Sequence, residues 1–311
     1  MQAAVTTDFG AAPEVLELDI PEPGQGEVRV RVHAASVNGF DLAVAAGYLK
    51  DMMEHRFPVV LGKDFAGTVD ALGPGVTGYA RGDRVFGVVT KAYLGDGSFA
   101  EFVTVPVATG LAKLPESVTF TEGAALGLAG AAALAATDAC APQPGQAVLV
   151  VGATGGVGTQ VVQLAVKAGA HVIATAHTDL ERQHVTELGA AELVDYTGDV
   201  AAAVLQAHPQ GVDAVIHLAG DPAPLLAAVR TGGKFISTLI GSPEQLPAER
   251  ATVVPVAANP APDTLDRLAD NQAKGHTSVK IQRVYGLDSA PAALADFAGG
   301  TLGKLVIITT N

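Results

Sequence analysis

The stretch Glu27 to Ala35 alternates between apolar and polar positions, with Val28, Val30 and Val32 on one face and Arg29, Arg31 and His33 on the other. A period of two is that of a strand with one buried face. Apolar runs follow at Ala66 to Ala71, Arg84 to Val89 and Ala100 to Val105, separated by Gly73-Pro74-Gly75, Arg81-Gly82-Asp83 and Gly95-Asp96-Gly97. Such Gly, Pro and Asp clusters form turns. Short strands at this spacing predict a small barrel-like β domain.

From Ala147 the rhythm changes. Ala147 to Val151 is a continuous β run, followed by a glycine-rich loop and a helical segment from Val157 to Ala168, with Gly169 as its stop. Strands are predicted at His171 to Ala176, Leu193 to Asp195, Ala214 to Leu218 and Lys234 to Leu239. Helices are predicted at Asp179 to Leu188, Val200 to Ala207 and Pro224 to Val229. Strands alternating with helices at this length make right-handed βαβ units on a parallel sheet. The tail adds helices at Asp263 to Ala273 and Ser289 to Phe297, and strands at Lys280 to Val284 and Lys304 to Thr309. The weakly polar run Gly123 to Ala136 falls short of the ~20 residues of a membrane span and is expected to be a buried helix.

A length of 311 residues predicts two cores rather than one. With aromatics at 5% and no Trp, those cores must be built from Val, Leu, Ile and Ala. The net charge of −13 argues against a nucleic-acid partner, because a phosphate backbone is repelled. The single cysteine, Cys140, allows no intramolecular disulfide and no cysteine-built zinc site, and it suits a reducing cytoplasm. Residues Met1 to Gly10 lack the basic and apolar regions of a secretory signal, so a cytoplasmic location without membrane attachment is expected.

The chemistry concentrates at Gly152-Ala153-Thr154-Gly155-Gly156-Val157-Gly158. Read as G-x-G-x-x-G, the loop has Ala153 in the first position, then Gly155 and Gly158. Gly155 lets the backbone approach a pyrophosphate and Gly158 lets the helix pack closely on the strand. The phosphates then face the N–H groups and partial positive charge of a helix N-terminus. Set between a strand and a helix, the loop predicts a dinucleotide site. The next strand ends Thr175-Ala176-His177-Thr178 without the acid that usually holds the ribose of NAD. Arg182, one turn further, either pairs with the 2′-phosphate of NADPH or is a solvated helix residue. The expected cofactor is NADPH.

Several stretches together resemble the zinc-free quinone oxidoreductases of the medium-chain dehydrogenase/reductase superfamily. They are Val32-His33-Ala34-Ala35-Ser36-Val37-Asn38 with Asp41, Leu61-Gly62-Lys63-Asp64 with Ala66-Gly67, Gly82-Asp83-Arg84-Val85 with Gly87, Gly97 to Phe102, Val150 to Gly158, and Gly303-Lys304. The resemblance implies a GroES-like β-barrel domain over 1–120 and 262–311, and a Rossmann doubly wound parallel-sheet domain over 121–261. It also implies NADPH in the cleft between the domains, and a homodimer. Zinc-dependent relatives carry Cys where this chain has Asn38, and Gly-His-Glu where it has Gly62-Lys63-Asp64. Their cysteine-rich lobe is missing here as well, so metal-free chemistry is expected. The chain departs from the family at Gly130-Ala131-Ala132-Ala133, where a Leu-Thr-Ala hydroxyl is common.

The implied reaction is hydride transfer from NADPH to a small-molecule acceptor, a quinone or another activated double bond. Negative charge then develops on oxygen and needs donors. The candidates are the Asn38 amide, the Tyr48 hydroxyl and the Lys63 ammonium, of which the resemblance implies that Asn38 and Tyr48 line the cleft. Each has a plainer role open to it: Asn38 stabilising its own turn, Tyr48 packing, Lys63 pairing with Asp64. Beyond the loop, the resemblance and the carboxyl edge of the sheet point to Tyr196, Leu218, Ala219, Thr238, Leu239 and Ile240 around the cofactor, together with Thr178 and His177, the latter either a phosphate neighbour or an exposed loop residue. An enone or enoyl-thioester reductase is the alternative reaction. A non-catalytic NADPH-binding sensor or structural protein is the alternative of another class.

Overall fold

A computed structural model describes residues 1–309. The chain folds as two units. One comprises Met1–Ala131 with Pro260–Gly275 and Ile281 onward, the other Ala132–Asn259 with His276–Lys280.

The first unit is built on strands. A three-stranded sheet joins β1 (Gln2–Thr6) to β2 (Glu14–Glu17) and β5 (Val59–Val60), and a short ribbon pairs β4 (Glu54–His55) with β8 (Tyr93–Leu94). The larger sheet is organised by β3 (Glu27–Ser36), flanked by β6 (Asp64–Leu72) and β9 (Phe102–Pro106), with β7 (Arg84–Val88) and β10 (Leu111–Lys113) continuing beyond β6. The alternation predicted for Glu27 to Ala35 is present: Val28, Val30 and Val32 are fully buried in the core of this unit. Burial of each such side chain contributes about 1.5–3 kcal/mol. A short helix, α1 (Gly39–Ala45), follows β3 directly. The helix α2 (Phe120–Cys140) is longer than expected, at 21 residues. Among the described residues it is the one helix long and apolar enough to cross a membrane, and 78% of its apolar window is buried inside the protein.

The second unit is a six-stranded parallel sheet in the order β13-β12-β11-β14-β15-β16. The strands are β11 (Ala147–Val151), β12 (His171–Thr175), β13 (Glu192–Val194), β14 (Val212–His217), β15 (Val229–Ser237) and β16 (Thr252–Pro255). Helices α3 (Gly156–Lys167), α4 (Asp179–Glu187) and α5 (Val200–Ala207) connect the first four. The strand order reverses direction at β11, which makes the carboxyl ends of β11 and β14 the place where such sheets bind ligands. Both faces are covered, since Val148, Val150 and Ile216 pack into one apolar cluster and Leu149, Val215 and Phe235 into another. This explains why these strands read as continuous apolar runs instead of alternating ones. The segment Pro224–Ala228, expected as an α-helix, is a single 3-10 turn, too short to propagate between Pro222 and the start of β15.

The tail returns to the first unit. Helix α6 (Pro262–Ala273), strand β17 (Ile281–Gly286), helix α7 (Ala290–Ala298) and strand β18 (Lys304–Ile308) follow in order. β18 pairs antiparallel with the end of β3, Val306 opposite Ser36, and parallel with β17. That pairing carries Lys304 beside Asn38.

Candidate active site

In the second unit the glycine loop joins β11 to α3. Gly155 is the N-cap of α3 at φ −75 and ψ 173, so Gly156 and Val157 open the helix with free N–H groups toward the loop. At Gly158 a Cβ would stand 2.1 Å from the Gly152 carbonyl oxygen and 2.6 Å from Ala153 Cα, both backbone atoms. No side chain fits there, and the absence of one is what lets α3 lie against its own loop. At Gly155 an added Cβ would meet only the Gly152 oxygen, at 3.7 Å. The backbone at Gly155 therefore faces open space. Ala153 is fully buried, and the Gly152 amide donates to Thr175 Oγ1 at 3.0 Å, tying the loop to β12.

A cavity of about 580 Å³ opens beside this loop. Its walls include Gly152, Thr154, Thr175, Tyr196, Asp199 and Ala219, drawn from the ends of four neighbouring strands. The volume and the apolar walls suit one part of a dinucleotide. Of the expected cofactor residues, Gly152, Thr154, Tyr196 and Ala219 line it. Leu218 continues β14, its amide donating to the Val151 carbonyl at 3.0 Å. Thr238, Leu239 and Ile240 follow β15; Leu239 is exposed and Ile240 packs at the edge of an apolar cluster. Two carboxylates of the cavity wall were missed in the sequence. Asp199 caps α5 by accepting from Ala202 N at 2.9 Å, and Asp221 accepts from Ala223 N at 3.0 Å. Their position in the loops that follow β13 and β14 is the signal that could have found them.

β12 itself ends without an acid, and the adjacent strand β13 brings one close. Asp195, just past β13, reaches His177 Nδ1 at 3.0 Å and the Arg182 guanidinium at 3.4 Å. The His177 imidazole, with the Thr197 amide and hydroxyl, holds the Asp195 carboxyl well below the usual range. Arg182 also donates through Nε to the His177 carbonyl at 3.0 Å. Its guanidinium thus sits in a partly exposed cluster on α4. Thr178 is the N-cap of α4: its hydroxyl accepts from Glu181 N, and Glu181 in turn accepts from the Thr178 amide at 2.9 Å. Its oxygen is used by the helix. Tyr196 likewise donates its hydroxyl to Glu181 at 3.1 Å, with its ring edge-on to His177.

The first unit holds a buried polar network. Asp64, fully buried at the start of β6, accepts from Ser36 Oγ at 2.8 Å, from Asn38 Nδ2 at 2.9 Å and from the Leu128 amide at 2.7 Å. Lys304 Nζ donates to Asn38 Oδ1 at 2.6 Å and to the Val37 carbonyl at 2.9 Å, and stands 3.5 Å from Asp64. Burial pulls the Lys304 ammonium below its ordinary range, while Asp64 and Asp41 oppose the shift. Asp41 closes the first turn of α1 by accepting from the Asn38 amide at 2.8 Å, and its burial pushes its carboxyl up to about 7.

Two expectations change here. The ion partner of Asp64 is Lys304, and Lys63 is not paired with it. Both N–H bonds of the Asn38 amide are already engaged, by Asp64 and by the Ser36 carbonyl at 3.3 Å, so Asn38 acts within this network and has no donor left for a substrate oxygen. Lys63 donates to the Val89 carbonyl at 2.7 Å and lies over the Phe40 ring, which leaves further N–H bonds on its ammonium. Burial draws its pKa down, against the pull of Asp41 and Asp64. Its neighbour Gly62 has φ +96, and a Cβ there would strike Phe99 at 2.4 Å, so only glycine delivers Lys63 to this place. Tyr48 sits just past α1 and is 78% exposed.

Two family models match the chain: an alcohol dehydrogenase GroES-like domain over residues 24–116, and a zinc-binding dehydrogenase domain over 156–258. The chloroplast envelope quinone oxidoreductase homolog of Arabidopsis thaliana is 30% identical across 96% of this chain and 94% of its own length. The chain belongs to the medium-chain dehydrogenase/reductase superfamily. It is an oxidoreductase of the quinone oxidoreductase-like group, and the family binds a nicotinamide cofactor. A mycocerosic acid synthase-like polyketide synthase of Mycolicibacterium smegmatis is 35% identical over 72% of this chain, which spans 10% of that protein. Among solved structures, an NAD-dependent alcohol dehydrogenase superposes with TM-score 0.88 at 28% identity, covering all of both chains. A mycobacterial protein complexed with NADPH superposes with TM-score 0.87 at 27% identity, covering 99% of this chain and 100% of that one. The open backbone at Gly155, the α3 N-terminus and the adjoining cavity fit a dinucleotide. The donors at the positions where zinc-dependent relatives hold metal do not fit zinc. Asn38 Oδ1 already accepts an ammonium, Asp64 is saturated by four donors, and Lys63 is itself a donor.

Proposed function

We propose that this protein is a zinc-independent, NADPH-dependent reductase of quinones and other activated double bonds. The observation that carries this reading is the glycine loop, whose open backbone and helix N-terminus border a cavity at the carboxyl edge of the parallel sheet. The bound nicotinamide would supply the hydride. The loop binds and orients the phosphates through the α3 N–H groups, while Gly158 keeps the helix close to them. Arg182 supplies the cation at the ribose-phosphate end, with Asp195 between it and His177. That arrangement supports NADPH through its guanidinium, and its strength depends on how readily Asp195 yields Arg182 to a phosphate.

On the acceptor side, Lys63 and Tyr48 are the proposed donors to the oxygen that gains charge. Lys63 suits the role because its ammonium is partly desolvated and keeps uncommitted N–H bonds. Zinc independence rests on the engagement of Asn38 and Asp64 with Lys304. A second reading, reduction of an enoyl thioester, is favoured by the resemblance to a polyketide synthase segment. The same proposal includes a homodimer and a cytoplasmic setting.

The test is steady-state oxidation of NADPH and of NADH by the purified protein, with 1,4-benzoquinone, a simple enone and a crotonyl thioester supplied separately. NADPH-preferring turnover with the quinone or enone, unaffected by a metal chelator, is the expected result. Preference for the thioester would replace quinone reduction with the second reading. Loss of activity on chelation, with thermal stability unchanged, would overturn the zinc-independent chemistry.

A further inference from the structure

At the amino-terminal end of the parallel sheet, opposite the nucleotide cavity, two histidines converge on one carboxylate. His171 Nε2 lies 2.6 Å from Glu192 Oε1, and His208 Nε2 lies 3.1 Å from Glu192 Oε2. The three candidate ligand atoms are all within 4.8 Å of one another. We propose that His171, Glu192 and His208 form a binding site for a divalent transition-metal ion of the zinc type, which pins the end of α5 to the starts of β12 and β13.

The argument begins with where the three residues are anchored. His171 is the first residue of β12 and Glu192 the first of β13, two strands in parallel register with Ile173 beside Glu192. His208 is the C-cap of α5, its amide bonded to the Val204 carbonyl at 2.8 Å. Three separate elements thus present donors whose backbones are held by sheet and helix. The side chains are 39%, 37% and 22% exposed, so an ion can enter and water can complete its coordination.

Two imidazoles and one carboxylate are a donor set for zinc, with bonds of about 2.0–2.2 Å and ligand atoms roughly 3.3 Å apart in a tetrahedron. The His208–Glu192 separation of 3.1 Å already lies near this, while the 2.6 Å between His171 and the other Glu192 oxygen must lengthen; a modest rotation of the partly exposed imidazoles about one carboxylate does this and draws the histidines together. Imidazole donors favour zinc, copper and nickel over magnesium and calcium, which prefer all-oxygen sites. The site uses no residue of the nucleotide cavity. It does hold the far end of α5, whose first residues Val200 and Ala201 line that cavity.

The experiment separates a metal site from a hydrogen-bonded cluster of the same side chains. The full-length protein, stripped with EDTA and dialysed at pH 7.5, is titrated with Zn2+ against a chromophoric chelator, and its thermal unfolding is followed with and without the ion. The expected result is one equivalent bound, with a rise in Tm that Mg2+ does not reproduce. His171→Ala and His208→Ala should each weaken binding about a hundredfold, the share of one ligand in a small zinc site, and abolish the Tm rise. His177→Ala, which disrupts the other histidine–carboxylate pair near the cofactor, should leave zinc binding intact. Should an alanine variant fail to fold, Glu192→Gln replaces it, keeping shape and hydrogen bonding while removing the anionic ligand. Zinc binding by the wild type no tighter than by the His171→Ala/His208→Ala double variant would overturn the proposal, as would its loss in His177→Ala alone.

Discussion

Gly155 and Gly158 stand three residues apart in one loop, yet the structure assigns them opposite consequences on mutation to alanine. At Gly158 the new methyl would lie 2.1 Å from a carbonyl oxygen and 2.7 Å from a carbonyl carbon of the same loop. Neither atom can swing away as a side chain would. Overpacking of this kind costs about 1–3 kcal/mol, and a rigid backbone contact places Gly158→Ala at the upper end. For a chain of this size that corresponds to a fall in Tm of roughly 4–5 °C. At Gly155 the methyl meets one atom at 3.7 Å, and φ −75 is open to any residue. Replacing an N-cap glycine by alanine costs about 0.5–1 kcal/mol, or roughly 1–2 °C. That methyl, however, projects into the space where a pyrophosphate must reach the α3 N–H groups. The same 1–3 kcal/mol of steric cost then falls on the complex, lowering NADPH affinity roughly 5- to 150-fold. The assay is a pair of curves for each variant, thermal unfolding and NADPH fluorescence titration. Gly155→Ala should lose affinity with little loss of stability, and Gly158→Ala should lose both. If Gly155→Ala bound NADPH normally, or if Gly158→Ala melted with the wild type, the proposed geometry of the loop would be refuted.

Three further outcomes follow from the polar networks. Lys304→Met leaves the fully buried Asp64 without its cation and Asn38 without its donor, and should lower the urea-unfolding free energy by about 3–5 kcal/mol; a loss under 1 kcal/mol would show that the buried charge is neutralised in another way. Burial holds the Asp41 carboxyl at about 7, so the folded chain keeps a proton that the unfolded chain releases near pH ~4, and stability falls as pH rises between those values. Asp41→Asn keeps an acceptor for the Asn38 amide but cannot titrate, so its unfolding free energy should improve relative to wild type from pH 5 to pH 8; a constant difference would contradict the shift. Asp195→Asn frees Arg182 and His177 from their shared carboxylate and should raise the ratio of NADPH to NADH affinity by about two- to fivefold, the range of one half-exposed ion pair. Arg182→Ala should move the ratio the other way.

The sequence by itself determined the architecture, because periodicity and turn chemistry are local signals. Val28, Val30 and Val32 announce one buried face at a period of two, and Ala147 to Val151 followed by the glycine loop announces a βαβ unit that needs no knowledge of neighbours. The elements that stayed illegible are those whose local signal is weak. Helix α1 is only seven residues long, and β16 is an edge strand that becomes a strand by pairing with β15. The polar partnerships could not be read at all, for a different reason. Lys304 meets Asn38 across 266 positions, and only the docking of β18 on the end of β3 brings them together. Asp195 joins His177 and Arg182 because β12 and β13 are adjacent in the sheet, a pairing that the residues of β12 alone do not reveal. His171, Glu192 and His208 carry no spacing signature for the same reason. Side-chain chemistry acts over a few ångströms, and which residues fall within that range is decided by strand order and register, properties of the folded sheet that no single segment contains.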